Sequence, residues 1–214
     1  MNNYKFDIVH SLSGINAEDW NSLNNGNTVT SYEFLAALEE TGNVGDESGW
    51  LPAHLIATLN KRLVGSAPLY IKTHSYGEYI FDWAWADAYH RSGLDYYPKL
   101  VSAVPFTPTT GPRLLAADLD VKNALANAVL SFTKDNQLSS FHCLYPEEED
   151  LLVWKKSGCL LRKSIQFHWT NQNYENFTQY LSSMKSVKRK KIKQERKRVI
   201  DSDVKFRTIS GDQA

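Results

Sequence analysis

Three carboxylates, Glu78, Asp82 and Asp87, lie close together in a stretch of the sequence that is rich in aromatic side chains. An amine that attacks an acyl carbon must lose a proton, and a general base for that step needs a pKa near the working pH. Burial among aromatic rings raises the pKa of a carboxyl group in that direction. We therefore regard these three as the candidate catalytic residues. The alternative is that each is a structural hydrogen-bond acceptor.

The residues around these carboxylates suit a binding pocket. Eight of the 22 residues from Tyr76 to Tyr97 are aromatic, against 12% for the chain as a whole. A core segment would exclude the interleaved charges, and a linker would lack the tryptophans. Aromatic walls with a few polar groups are typical of a pocket, although a structural aromatic cluster with paired polar atoms has the same composition. The candidate substrate-binding residues are Tyr76, Trp83, Trp85, Tyr97, Lys99, Thr107, Thr110 and Arg113.

A turn-rich segment from Pro105 to Arg113 follows, with three prolines, one glycine and three threonines. Arg113, at its end, has the planar fork that binds a carboxylate or a phosphate with two hydrogen bonds. The alternative is a structural arginine paired with Asp82 or Asp87. We expect the chain to reverse at Gly93 and within this segment, so that the candidate residues from Tyr76 to Arg113 converge on one concave surface.

A second charged feature lies near the C-terminal end of the sequence. The net charge is zero, yet nine of the 24 Lys and Arg residues lie between Lys185 and Arg198, with Glu195 as the single acid among them. Such a basic arm on an acidic body indicates either a solvated helix or a contact with phosphates of tRNA or lipid headgroups. The candidate nucleic-acid-binding residues are Lys188, Arg189, Lys190, Lys193 and Arg196. No aromatic residues interleave with them, so we expect contacts to the backbone and not to bases.

Other classes of protein are disfavoured. No apolar run has the length of a membrane span, and the N-terminus lacks the apolar region of a signal peptide, so we expect a cytoplasmic protein. Cys143 and Cys159 have no metal-ligand spacing and are expected to be free thiols in a reducing compartment. We expect no metal site. Ser66 and Ser75 lack the context of a serine hydrolase nucleophile.

The pattern of apolar residues, caps and turns predicts an α/β domain that positions these side chains. Strands are predicted at Tyr4–His10, His54–Leu59, Leu63–Lys72, Tyr79–Trp83, Arg113–Ala116, Ser139–Tyr145 and Cys159–Trp169. Helices are predicted at Ala17–Leu23, from Ser31 to Gly42, at Ala84–Arg91 and Tyr96–Ala103, from Asp118 or Asp120 to Lys134, and from Pro146 to Gly158. Within the clearest hairpin, Gly65 predicts a bulge or a close backbone approach, and Pro68 predicts an edge or splayed position.

The character of the chain changes after Trp169. Asn171 to Asn176 is typical of a linker, a short amphipathic helix follows from Phe177, and the basic helix covers Ser186 to Val199. Val204 to Ile209 is predicted to be a strand. We therefore place a first domain at residues 1–170, and a linker, a basic helical arm and the incomplete start of a second domain at residues 171–214.

Several strings of residues carry a resemblance to a known family. They are SYEFLAALEETGNVG, GWLPAHL, VGSAPLYIKTHSYGEYIFDWAWADAY, YYPKL and AVPFTPTTGPRLL. They resemble the bacterial FemAB-like proteins, predicted N-acyltransferases of the GNAT superfamily that are labelled peptidoglycan biosynthesis or recognition proteins. The resemblance implies a GNAT-like α/β fold, with a mixed, mostly antiparallel sheet flanked by helices and a second GNAT-like domain completed in a longer chain. It also implies transfer of an acyl or aminoacyl group to an amine, with a cell-wall precursor as the acceptor.

The donor implied by the resemblance stays open between an acyl-CoA and an aminoacyl-tRNA. A GNAT enzyme that uses acetyl-CoA cradles the pyrophosphate with a glycine-rich loop at a helix N-terminus. The matching segment here, Leu115–Leu119, has no glycine and carries Asp118, so we expect no tightly bound cofactor and no acetyl-CoA binding. Fem-type relatives receive the acyl group on a tRNA. A different class of function, a non-catalytic module that recognises cell-wall fragments, would need only the aromatic wall.

Overall fold

The computed structural model describes residues 3–165 and 167–211, and the chain divides into a unit that ends at Arg162 and a unit that begins at Lys163. The strands of the first unit are β1 Lys5–Val9, β2 Trp50–Pro52, β3 His54–Leu59, β4 Arg62–Ala67, β5 Tyr70–Lys72, β6 Lys99–Ser102 and β7 Phe141–Cys143. Its α-helices are α1 Ala17–Leu23, α2 Tyr32–Glu40, α3 Trp83–Arg91, α4 Leu119–Asp135 and α5 Glu148–Lys156. The second unit contains α6 Phe177–Ser182 and α7 Ser186–Asp201.

The strands form two sheets. The first has the order β1-β3-β4 and is antiparallel; the second has the order β2-β5-β6-β7, in which only the β6–β7 pair is parallel. The chain leaves the first sheet after Ala67 and enters the second at Tyr70. Pro68, which has no N–H to give to a ladder, lies at this crossing. The mixed, mostly antiparallel α/β architecture is confirmed.

Three helices begin where the sequence predicts, each at a residue whose side chain caps the helix. Asn16 caps α1 by accepting a hydrogen bond from the backbone N–H of Asp19 at 2.9 Å, and Ser31 caps α2 in the same way from Phe34. Asp118 caps α4 through the N–H of Asp120 at 2.7 Å. Such side-chain oxygens satisfy N–H groups that have no partner within the helix.

Two clusters of buried residues lie on the two faces of the first sheet, and a third packs around Trp50, Tyr70 and Val101 of the second sheet. Trp20 and Leu35, from α1 and α2, are buried on one side, while Leu125 and Val129 of α4 pack on the other side with Trp154 of α5. β4 and α4 approach each other so closely that a Cβ at Gly65 would lie 2.6 Å from Val121 Cγ1. The β3–β4 register also shifts between Ala57 and Thr58. Of the two alternatives predicted from Gly65, the bulge is confirmed, whereas the atoms closest to Gly65 belong to side chains of α4 and not to another backbone.

Several predicted elements are wrong. Tyr79–Trp83 is not a strand, and Tyr96–Ala103 is not a helix, because Lys99–Ser102 forms β6 between two other strands. Arg113–Ala116 contributes only a single bridge, between Leu115 and Ser66. The described residues of Cys159–Trp169 and Val204–Ile209 form no strand, since neither finds a partner edge there. A short apolar run does not distinguish strand from helix by itself.

Among the described residues, no helix is both long enough and apolar enough to span a bilayer. The predicted short helix from Phe177 and the basic helix from Ser186 are confirmed as α6 and α7. The division at Arg162 lies ahead of the boundary placed at residue 170. That the second unit begins another GNAT-like domain stays a prediction.

Candidate active site around Lys99

The ammonium group of Lys99 lies at the centre of a buried polar network. Lys99 opens β6 and is paired in register with Lys72 on β5, and both residues are fully buried. Its Nζ donates to Ser75 Oγ at 2.9 Å, to Glu78 Oε2 at 2.9 Å and to Asp82 Oδ2 at 2.6 Å. All three N–H donors of the ammonium group therefore have acceptors.

Asp82 is the charged partner of this ammonium. Its Oδ2 also accepts hydrogen bonds from Ser75 Oγ at 2.9 Å and from the Tyr96 hydroxyl at 2.8 Å, while the Tyr97 hydroxyl lies 2.7 Å from Ser75 Oγ. Burial opposes ionisation of Asp82, but the hydrogen bonds from Lys99 and Tyr96 outweigh it and lower the pKa of this carboxyl. Asp82 is thus held as a carboxylate that anchors Lys99.

The effects that set the pKa of Glu78 differ from those at Asp82. Only Oε2 of Glu78 receives a hydrogen bond, from Lys99, and its buried Oε1, like Oδ1 of Asp82, has no hydrogen-bond partner in the described part of the chain. Burial raises the pKa of Glu78, and the negative charge of Asp82 adds to this against the opposing effect of Lys99. Of the carboxylates in the network, Glu78 is therefore the one whose pKa moves towards the range that a general base requires.

A second buried lysine fixes the segment that carries these carboxylates. Lys72 Nζ donates to the carbonyl oxygen of Tyr76 at 3.2 Å and lies 3.9 Å from the centroid of the Trp50 ring. Trp50 Nε1 donates to the same carbonyl oxygen at 3.2 Å. Burial lowers the pKa of Lys72 to about 7. The sequence analysis missed this residue, whose only signal is a lysine at the end of an otherwise apolar strand.

The aromatic side chains of the predicted pocket are largely on the surface. Tyr76 is 66% exposed and Trp83 51%, with their rings in edge contact at 5.7 Å between centroids. Trp85 lies on α3 and is also half exposed, and on the same helix exposed Asp87 forms an ion pair with Arg91 one turn later. Tyr76 and Trp83 thus form an exposed aromatic surface and not the wall of an enclosed pocket. Asp87 does not join the Lys99 network.

Arg113 occupies a different place from the one predicted. Its guanidinium group is buried and donates to the carbonyl oxygens of Leu144 at 3.0 Å, Pro112 at 3.0 Å and Thr109 at 2.7 Å. Among the described residues it forms no ion pair with Asp82 or Asp87, because Asp82 is taken by Lys99. The arginine instead holds the turn that precedes it.

The two threonines of that turn do not contact the network in any hydrogen bond described by the structure. Thr107 is half-buried and its hydroxyl donates to the carbonyl oxygen of Pro105 at 3.0 Å, while Thr110 is exposed. Of the residues predicted to converge, the structure therefore brings together Glu78, Asp82, Tyr97 and Lys99.

A further group of acids lies apart from this network. The carboxylates of Glu147, Glu149 and Asp150 are close enough together to hold a cation. Lys122 Nζ already lies among them, at 2.6 Å from Glu149 and 3.0 Å from Asp150. Asp150 also accepts from the backbone N–H groups of Arg113 and Leu114. This cluster thus ties α4 and α5 to the segment that follows the turn.

The candidate nucleic-acid-binding residues all lie on α7. Lys188, Lys190, Lys193 and Arg196 are exposed, and Arg189 is half-buried. No residue of this helix is buried.

Comparison with known proteins identifies a family. The sequence profile of the FemAB-like family, described as peptidoglycan biosynthesis/recognition, matches residues 11–214. Comparison with curated proteins gives no match. Among solved structures, the chain is similar to the aminoglycoside acetyltransferase meta-AAC0020 from an uncultured soil metagenomic sample, crystallised in complex with trehalose. The identity is 12% and the TM-score 0.45, over 80% of this chain and 98% of that one. A similarity this distant carries no inference about activity.

Proposed function

Because this chain belongs to the FemAB-like family of peptidoglycan biosynthesis/recognition proteins, we propose that it transfers an acyl or aminoacyl group to an amine of a cell-wall precursor. The observation that carries the proposal is the state of Glu78, whose carboxyl is buried, has a raised pKa and keeps one oxygen without a partner among the described residues. A carboxyl group in that state is suited to accept the proton that an attacking amine releases.

The proposed reaction uses the network as a positioned base. The amine nitrogen attacks the carbonyl carbon of the donor, a C–N bond forms, and the C–O or C–S bond to the carrier breaks. Glu78 Oε1 takes the proton from the nitrogen and passes it to the leaving oxygen or sulfur of the carrier, while Lys99 fixes Oε2 and Asp82 keeps Lys99 in place. The side chain of Glu78 is closed to solvent, so the segment from Ser75 to Asp82 must open to admit the amine.

We further propose that the donor is not acetyl-CoA. The carboxylate of Asp118 lies at the N-terminus of α4, where the helix would otherwise present free N–H groups to a pyrophosphate. Two negative groups at one helix end repel each other. An aminoacyl-tRNA is then the donor class that fits, which requires a cytoplasmic location.

A second function, recognition of cell-wall fragments without catalysis, is favoured by the exposed aromatic surface. Tyr76, Phe81 and Trp83 are 66%, 78% and 51% exposed, although they are large apolar residues close in sequence. Exposed apolar patches of this kind mark binding surfaces. This function would need no proton acceptor, so it predicts that Glu78 can be replaced without effect.

The test uses the full chain with a muramyl stem peptide that carries a free amine, and offers acetyl-CoA or a charged tRNA pool as donor. Glu78→Gln keeps an acceptor for Lys99 but removes the base, so we expect turnover to fall by about 10²–10⁴-fold with little change in thermal stability. Glu18→Gln, at an exposed site, is the control. The mass gain of the peptide is the readout.

Equal transfer by wild type and Glu78→Gln would remove Glu78 from the mechanism. If the wild type transfers nothing from either donor, but binds the stem peptide or its glycan in a manner abolished by Trp83→Ala, the recognition function stands in place of catalysis.

A further inference from the structure

The second unit contains a groove of about 470 Å³ in a segment whose sequence is typical of a linker. Four aromatic rings line it, together with two asparagines: Trp169, Asn171, Tyr174, Asn176, Phe177 and Tyr180. Tyr180 is the centre of the aromatic group, with ring centroids 5.9 Å from Trp169, 5.3 Å from Tyr174 and 5.9 Å from Phe177. The rings are not a closed core, because Trp169 remains 65% exposed.

The asparagines of the groove are held in fixed orientations. Asn171 Oδ1 accepts from the N–H of Tyr174 at 3.0 Å, and Asn176 Oδ1 accepts from the N–H of Gln179 at 3.0 Å. Each oxygen is therefore engaged locally, and in the described part of the chain no acceptor is seen for either Nδ2 group. The groove combines open ring faces with oriented N–H donors.

One edge of the groove is positively charged. The guanidinium of Arg196 on α7 lies 4.5 Å from the centroid of the Phe177 ring, which places the basic helix beside the aromatic rings. Lys193 and Arg189, three and seven residues earlier, share that helix face. α7 has 16 residues and is therefore about 24 Å long, which is enough to follow several phosphates. In the described residues its single ion pair is the long one between Lys191 and Glu195, at 3.9 Å.

We propose that this groove and α7 together bind single-stranded nucleic acid, with bases stacked on Trp169 and its neighbouring rings and phosphates along α7. Sequence-tolerant single-strand sites combine these two elements, a basic track and aromatic stacking faces. A neutral glycan would use the rings but leave the charges of α7 without a role. The basic run itself contains no aromatic residue, but the Arg196–Phe177 contact brings a ring from an earlier helix beside it. This site goes beyond the proposed transfer reaction and does not depend on it.

The test measures binding of the full chain to a labelled, unstructured oligouridine strand and to a duplex of the same length, by fluorescence anisotropy over a range of salt concentrations. We expect the strand to bind more tightly than the duplex, and its affinity to fall linearly with salt on logarithmic axes. Trp169→Ala is expected to weaken strand binding about 5- to 100-fold without changing the salt slope, because stacking releases no counterions. Arg189→Gln combined with Lys193→Gln is expected to make the slope shallower by about 1.4.

The matched control is Phe206→Ala, which removes another exposed ring of the second unit that lies outside the groove. It should leave affinity unchanged. Circular dichroism of each variant shows whether the helices persist, and Phe177→Ala repeats the test at a second ring if Trp169→Ala loses helix. The proposal is overturned if the oligouridine strand does not bind at low salt. It is also overturned if duplex and strand bind with equal affinity and Trp169→Ala leaves both affinities unchanged. Binding of an uncharged glycan fragment in place of the strand would overturn it as well.

Discussion

Replacing Lys99 with methionine should destabilise the first unit strongly at neutral pH. Methionine fills a similar volume but removes three hydrogen bonds, two of them to the carboxylates of Glu78 and Asp82. Both carboxyl side chains are at most 1% exposed, so neither gains water in compensation. Removing one member of a buried charge pair costs about 3–5 kcal/mol, mainly because the remaining charge stays buried without a partner. We expect a loss of that size in the free energy of unfolding.

The pH dependence gives this prediction a sign. In the wild type Lys99 favours the ionised forms of Asp82 and Glu78. Without it, the pKa of each carboxyl group in the folded state rises, and the folded variant binds protons that the unfolded chain has released. Stability of the variant should therefore fall as pH rises above the ordinary carboxyl pKa, and it should be regained as pH falls towards 4. The wild type should show the opposite trend, because the lowered pKa of Asp82 stabilises the folded state at neutral pH and this stabilisation is lost on acidification.

The assay is urea unfolding of both proteins from about pH 4.5 to 7.5, in the range of ordinary carboxyl titration, with m-values compared to confirm the same transition. Lys5→Met, which breaks the exposed contact between Lys5 and Asp7, should change little and serves as control. Adding Glu78→Gln and Asp82→Asn to Lys99→Met should recover part of the loss, because no charge is then left buried. A loss below about 1 kcal/mol, the size of an exposed pair, or a loss that grows on acidification, would refute the reasoning.

Three further outcomes are expected. Burial lowers the pKa of Lys72 to about 7 from an unfolded value near 10.4, so the unfolded chain binds more protons between these two values and stability should rise with pH there. The urea midpoint of Lys72→Met should therefore change less with pH than that of the wild type. An equal pH dependence in both proteins would assign the effect to another group. Gly65→Ala should lower the free energy of unfolding by about 1–3 kcal/mol, because the added Cβ overpacks against Val121 and Leu125. Gly14→Ala, whose Cβ would have open space, is the control. Equal stability of the two variants would contradict the close packing at Gly65. Calorimetry should detect no acetyl-CoA binding to the full chain, and low-micromolar affinity would overturn the inference from Asp118.

The parts of the fold that were predicted correctly depend on contacts between near neighbours in sequence. The caps at Asn16 and Ser31 use hydrogen bonds three residues away, and the bulge near Gly65 belongs to a hairpin. The helix–strand error at Tyr96–Ala103 has another cause. Lys99–Ser102 is buried by strands on both sides, so it shows no alternation of apolar and polar residues, and its partner β7 is some forty residues later. Nothing local to that run specifies which state burial will favour.

The candidate site, like the fold, could be predicted only in part from the sequence. Composition alone predicts that the charged residues among the aromatic rings either pair or face water. Composition does not predict which charges pair. The β5–β6 register brings Lys99 beside the segment from Ser75 to Asp82, whereas Arg113 donates to three carbonyl oxygens at the turn that it closes. A cation therefore does meet the acids, but it is the lysine and not the arginine.

The roles of the three candidate carboxylates separate on the same evidence. Asp87 forms an exposed pair with Arg91 within its own helix and lies outside the Lys99 network. Asp82 accepts three hydrogen bonds at one oxygen and is stabilised in its ionised form, which suits an anchor and makes a weak base. Glu78 receives one hydrogen bond, is equally buried and is shifted towards its protonated form. If a carboxylate of this segment accepts a proton in the reaction, Glu78 is the one whose pKa is raised, and its replacement should separate activity from stability.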